Sequence, residues 1–172
     1  MPPVSPEHQP PPFTERQLRD ALGQFATGVT VVTTLDAQGQ PAGMTVSSFS
    51  SVSLAPPLVL WNLGRASSLR PVFERCQHYA IHVLAQDQLD LALRFSSRMA
   101  NRFENVAWQP NAQGVPLLEG AAAVFECALR NRYDGGDHLI MVGQVLQCRH
   151  QRVAPLLYHG GQLGPSLAEP GT

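Results

Sequence analysis

The sequence has no GxGxxG turn following a strand and no GxxxxGK(S/T) loop, so neither a dinucleotide-binding domain nor a P-loop can be assigned to it. It has no apolar run near the roughly 18 residues that a membrane-spanning helix needs. Residues 1–12 lack the basic and apolar regions of a secretion signal, and a cytoplasmic protein is expected. Cysteine is scarce: Cys76, Cys127 and Cys148 have no CxxC spacing, which excludes a disulfide framework or zinc knuckle and predicts buried, reduced thiols. Charge is scarce too. Charged residues make up 15% of the chain and the net charge is -1, so the basic footprint of a nucleic-acid binder is missing.

What is present is ordinary globular material: 172 residues, 44% of them apolar, enough for one domain with a sizeable core. Residues 1–12 hold six of the fifteen prolines and almost nothing apolar, and residues 168–172 look similar. Both ends are expected to be mobile, leaving a single domain over 13–167.

Thr14 and Gln17 have capping-box spacing, and Leu18, Leu22 and Phe25 follow at helical period, predicting an amphipathic helix that ends near Thr27 and Gly28. The β-branched run 29–35, the turn chemistry of 36–39 and the run 43–49 predict a hairpin. Further strands are expected over 58–62, 79–84, 122–131 and 138–148, with shorter pieces at 115–118 and 156–158. Two more helices fit at 68–76 and 88–96, the second with Leu89, Ala92 and Leu93 on one face. Many strands joined mostly by turns, with a few helices between them, predict a mainly β barrel with helical decoration.

Two segments carry candidate chemistry. Residues 43–57 place six hydroxyls among apolar residues and close on Pro56 and Pro57. This is either a Ser/Thr-rich edge strand in water or a stiff run of donors suited to a polar cofactor such as a flavin, whose ring edge and ribityl phosphate accept hydrogen bonds. Asn62, Arg65, Ser67 and Ser68 precede a helix with Pro71 in its first turn, which reads either as a plain serine cap or as an anion site with Arg65 adding charge.

Taken in order, these motifs resemble the flavin reductase family, the small reductase components of two-component flavin monooxygenases. The likeness runs through residues 25–34, 44–53 with 56–59, Asn62 with Ser67 and Ser68, Arg94 and Phe95, residues 101–103, residues 136–138, Val142 to Val145, and the closing run 158–163. The family fold is an FMN-binding split barrel. By resemblance, Thr45, Val46, Ser47, Ser48 and Phe49, with Ser53 beyond them, run along the flavin ring and ribityl chain. Asn62, Arg65, Ser67 and Ser68 hold its phosphate end, Phe95 and Arg98 its distal part, and His138 stands where nicotinamide docks.

The resemblance implies an NAD(P)H-dependent reductase of FMN or FAD, acting as a homodimer and handing reduced flavin to a separate oxygenase. Direct hydride transfer needs two stacked rings and excluded water, so the lack of a nucleophile triad is consistent with it. A non-catalytic flavin carrier, electron-transfer module or sensor of the same fold is the alternative, as is an enzyme with a fixed flavin. FMN or FAD, and NADH or NADPH, stay open; Arg65, Arg70, Arg98 and Arg102 are each able to meet a 2′-phosphate. Where Leu163 stands many relatives carry an aromatic. His78 and His82 have metal-ligand spacing for a helix, but on a strand four residues separate them by roughly 13 Å, so no shared metal is expected. Trp61 and Trp108 are expected to pack.

Overall fold

A computed structural model describes residues 11–165. The expected tails lie outside it save for Pro11 and Pro12, which are exposed.

The chain opens with α1 (Glu15–Gly23), capped as its spacing predicts: the Gln17 amide donates to the Thr14 hydroxyl at 3.2 Å and the Thr14 amide to the Gln17 side chain at 2.8 Å. Its apolar residues do not reach the core. Leu18 and Leu22 are exposed, as is Phe25, by 76%, which lies past the helix because the helix ends at Gly23 and not near Thr27 and Gly28 as the spacing predicts.

The strands then follow: β1 (Thr27–Gly28), β2 (Thr30–Leu35), β3 (Pro41–Val46), β4 (Ser50–Leu54) and β5 (Pro57–Gly64). After α2 (Arg70–Arg75), β6 (His78–Val83) and α3 (Leu89–Ser96) come β7 (Trp108–Pro110) and β8 (Pro116–Leu118). The long pair β9 (Ala123–Gly135) and β10 (His138–His150) precedes β11 (Leu157–His159) and β12 (Gln162–Gly164). The main sheet is antiparallel and seven-stranded, in the order β3-β2-β6-β9-β10-β5-β4. β1-β11-β12 and β7-β8 form two small sheets beside it.

The predicted hairpin is β2 with β3, in register from Thr30 opposite Val46 to Leu35 opposite Pro41. The run 43–49 is not one strand, however. Pairing to β2 stops at Val46, and the chain starts a new strand at Ser50 that pairs with β5 instead. β2 and β6 are buried on both faces, because one core lies on each side of the sheet. Val32, Trp61, Phe73, Tyr79 and Ile81 fill one; Val29, Val31, Leu84, Phe95 and Leu118 fill the other. Burying each of the larger apolar side chains contributes roughly 1.5–3 kcal/mol. This two-sided burial explains why β2 reads as a β-branched run and not as an alternation, and why β6 is buried along its middle four residues. Thr30, Thr33 and Thr34 survive inside because their hydroxyls donate to the carbonyls of Val46, Pro116 and His78.

Three further expectations are corrected. α2 begins at Arg70 with Leu69 as an N-cap that makes no side-chain bond, so Ser68 is not its first residue. On α3 the buried residues are Ala92 and Phe95, while Leu89 and Leu93 face outward, since the larger Phe95 ring takes the core position. Cys148 is exposed on β10; only Cys76 and Cys127 are buried.

Candidate active site

The site is built where β5 ends. Asn62 lies on β5 two residues beyond Leu60, where the pairing with β4 stops, and its backbone N–H donates to the Ser48 hydroxyl at 2.9 Å. That bond joins the two segments singled out in the sequence. From Gly64 the chain turns through Arg65 to Leu69: the Ser67 amide donates to the Gly64 carbonyl at 3.0 Å and the Leu69 amide to the Ser67 hydroxyl at 3.2 Å. The Ser67 hydroxyl thus shapes the turn. Since α2 is a six-residue helix without a serine cap, the anion site expected from its dipole becomes a loop site.

Beside this loop lies a cleft of about 880 Å³, within the size range of cofactor sites. Ser68, Leu69 and Val72 form one wall, the start of β3 from Pro41 to Gly43 the floor, and residues 98–103 after α3 the other wall. Arg98 and Arg102 both line it. Arg102 is held in place by an Nη1 bond to the Gly43 carbonyl at 2.8 Å, and its partial burial lowers its pKa below the usual arginine value. At Gly43 the floor has no room for a side chain: a Cβ there would stand 2.8 Å from the Phe95 ring and 3.3 Å from the Val32 carbonyl. A smaller hollow of about 320 Å³ adjoins the cleft through Asp36 and Val72.

His138 opens β10 directly opposite Gly64. Its ring lies alongside that glycine, with Nε2 3.6 Å from where a Gly64 Cβ would be, while Nδ1 lies 2.7 Å from an Asp137 carboxylate oxygen. The hydrogen bond to His138 holds the Asp137 carboxyl below the usual range. With Nδ1 carrying the hydrogen, Nε2 is left to act as an acceptor, or as a donor when the ring is charged.

The flavin reductase like domain model matches residues 22–166. The chain belongs to the flavin reductase family. It is 49% identical over 149 residues to the FMN reductase (NADH) SmoA of Agrobacterium fabrum, covering 87% of this chain and 84% of that protein. It is 40% identical over 146 residues to the reductase component of the flavin-dependent trigonelline monooxygenase of Acinetobacter baylyi, spanning 85% of this chain but 47% of that longer protein. The solved structure of the Streptomyces globisporus NADH:FAD oxidoreductase SgcE6, in complex with NAD and FAD fragments, superposes with a TM-score of 0.84 at 36% identity, covering 91% and 96% of the two chains. The seven-stranded antiparallel sheet is accordingly that of a split-barrel flavin reductase.

The residues expected at this family's site do not all converge. Ser48, Asn62, Ser67, Ser68, Arg98 and His138 surround the end of β5 and the cleft beside it. Ser47 is exposed next to Ser48. Thr45 and Val46 line the same strand, but the Thr45 hydroxyl donates to the Ala92 carbonyl at 2.7 Å and Val46 is buried. Phe49 packs on Phe125 with ring centroids 5.3 Å apart. Phe95 is wholly buried against Phe103 at 5.0 Å, so its ring supports the cleft floor from below. Ser53 stands opposite Leu58, four residues down β5 from Asn62 and therefore roughly 13 Å away along the strand. Arg65 and Arg70 have partners elsewhere, Arg70 with Glu74 at 2.8 Å. Gly43 and Arg102 were not among the predicted contacts. Arg102 stood out as part of the 101–103 motif and as one of four arginines able to meet a 2′-phosphate, but not as a cleft wall, and nothing in the sequence marks Gly43 as a cleft floor.

Proposed function

We infer that this protein is an NADH-dependent flavin reductase, an oxidoreductase that passes hydride from the nicotinamide to FMN or FAD. The observation that carries the reading is the single cleft that gathers Ser68, Arg98 and Arg102 beside the β5 end where His138 stands. Two guanidinium groups and a hydroxyl suit a phosphate or pyrophosphate, and an apolar floor suits a ring. The residues present therefore fit a flavin nucleotide. When bound, it supplies the acceptor for two electrons and a proton.

The chain's own groups bind and orient. Ser67, Ser68 and Arg98 hold the phosphate end, the backbone of 45–49 borders the ring edge, and Arg102 fixes the cleft wall through Gly43. His138, its tautomer set by Asp137, orients the nicotinamide by a hydrogen bond from or to Nε2. No general base is required, because hydride moves directly between stacked rings. NADPH in place of NADH would set its 2′-phosphate near Arg98 or Arg102.

The proposal includes a homodimer located in the cytoplasm, and a separate oxygenase that receives the reduced flavin. Exposed Leu22 on α1, Phe25 just beyond its end, and Leu54 on edge strand β4 with 94% of its surface accessible, support a second copy, since such apolar surface is usually covered. Light scattering at micromolar concentration is expected to give twice the chain mass; a monomer would remove that part. The activity is tested by oxidation of NADH on addition of FMN or FAD. A protein that binds flavin yet turns over no nucleotide would be a carrier instead.

A further inference from the structure

Arg65 sits in the phosphate loop, where its charge would ordinarily be assigned to the ligand. Its guanidinium is committed elsewhere. Nε donates to the Gly136 carbonyl at 2.7 Å and Nη2 to an Asp134 carboxylate oxygen at 3.0 Å, while the Arg65 backbone amide donates to the Asp137 carbonyl at 2.9 Å. The same Asp134 oxygen accepts the Gly136 amide at 3.0 Å. That amide first, and Arg65 second, keep the Asp134 carboxyl below the usual range. Three bonds from one residue thus grip the β9–β10 turn immediately before His138.

The turn needs a grip. Residues 131–138 are all exposed, and Gly136 takes a positive φ of 77°. A hairpin tip without core contacts opens locally at little cost. The β5–β10 ladder reaches His138 through Gly64, but it does not extend to residues 134–137. Arg65 also lies within the turn closed by the Ser67 amide on the Gly64 carbonyl, so it spans the two halves of the site.

We propose that Arg65 is a positioning residue, fastening the turn that carries His138 to the phosphate loop, so that nicotinamide docking depends on a side chain that touches neither nucleotide. This rests on the assignment of His138 to the nicotinamide side. A planar fork is needed to hold two acceptors at once, which lysine cannot reproduce.

The test uses the whole protein with Arg65→Met, Arg65→Lys, Asp134→Asn and the double Arg65→Met/Asp134→Asn variant. Anaerobic stopped-flow flavin reduction at varied NADH gives half-saturation and limiting rate separately, and fluorescence titration gives flavin affinity. Arg65→Met is expected to raise NADH half-saturation about fivefold, the upper end for a partly exposed ion pair, with flavin affinity within about twofold. Arg65→Lys should fall between, and is the variant to use if the methionine protein does not fold. Asp134→Asn should shift half-saturation in the same direction, and the double variant should be no worse than Arg65→Met, because both act on one contact. Weakened flavin binding in Arg65→Met with Asp134→Asn silent would overturn the proposal in favour of direct ligand contact. Unchanged NADH saturation in Arg65→Met and Arg65→Lys, or fully additive effects, would overturn it as well. His138→Ala separates this from the site assignment: if that variant is silent while Arg65→Met is not, the His138 role fails and the tether remains, acting on another group of the turn.

Discussion

Acidification should weaken this fold through one histidine that takes no part in the chemistry. His82 is fully buried on β6, with Nδ1 3.0 Å from the Val31 carbonyl and Nε2 accepting the Leu118 amide at 3.0 Å. Both bonds are satisfied only by the neutral ring with hydrogen on Nδ1, since a charged ring would set Nε2–H against Leu118 N–H. Burial lowers its pKa from 6.5 to about 4. The unfolded chain takes up a proton as pH falls below 6.5 and the folded chain does not until about 4, so stability is lost across that window. The loss is about 1.4 kcal/mol per pH unit through the middle of the range, or about 2 kcal/mol between pH 7 and pH 5. Urea unfolding at pH 7, 6 and 5 checks this against His82→Gln, whose amide can serve both partners without titrating. The difference between the two proteins isolates His82 from every other group. If wild type and variant lose stability in parallel, the buried neutral histidine is not what makes the fold acid-sensitive.

Glycine positions give sharper steric tests. Gly43→Ala should push Phe95 down or the β3 backbone up, costing about 1–3 kcal/mol and weakening flavin affinity together, read by thermal melting and fluorescence titration. Gly143→Ala would overlap the Tyr79 hydroxyl, so a cost of about 3 kcal/mol is expected. Among the described residues that hydroxyl has no hydrogen-bond partner. Tyr79→Phe should therefore be close to neutral alone and should recover part of the Gly143→Ala loss in urea unfolding. Arg98→Ala, on the exposed wall of the cleft, should weaken flavin binding about tenfold while the melting temperature stays within about 2 °C.

The strands legible in the sequence are those whose local chemistry agrees with their place in the sheet. The β-branched run of β2, the turn at 36–39, and the long pair β9 and β10 around Gly135 and Gly136 all announce themselves. β4 does not: Ser50, Ser51 and Ser53 carry little strand propensity, and only pairing with β5 makes the segment extended. The helix faces were legible by period but not by side. Phe95 displaces Leu89 and Leu93 from the core because Gly43 leaves room for an aromatic ring, a fit between residues 52 positions apart that no local pattern reveals.

The same distinction divides the site. Ser48 and Asn62 were recognisable by residue type and order, and a single bond from the Asn62 amide to the Ser48 hydroxyl brings them together. Arg102 and Gly43 form wall and floor only after α3 folds over β3, so their part is a tertiary property. Arg65 shows the reverse case. Its sequence neighbours suggest a phosphate ligand, yet its donors are spent on a turn some seventy residues later, where Asp134 and Gly136 offer two acceptors at fork spacing.

The central claim is that this cleft holds a flavin against which NADH is oxidised. An anaerobic titration of the protein with one equivalent of FMN or FAD, followed by stepwise NADH, tests it most directly. The flavin absorbance should bleach in proportion to NADH added, to completion near one equivalent, and His138→Ala should slow the bleaching without loosening the flavin. A flavin that binds but stays oxidised in excess NADH and in excess NADPH would contradict the account.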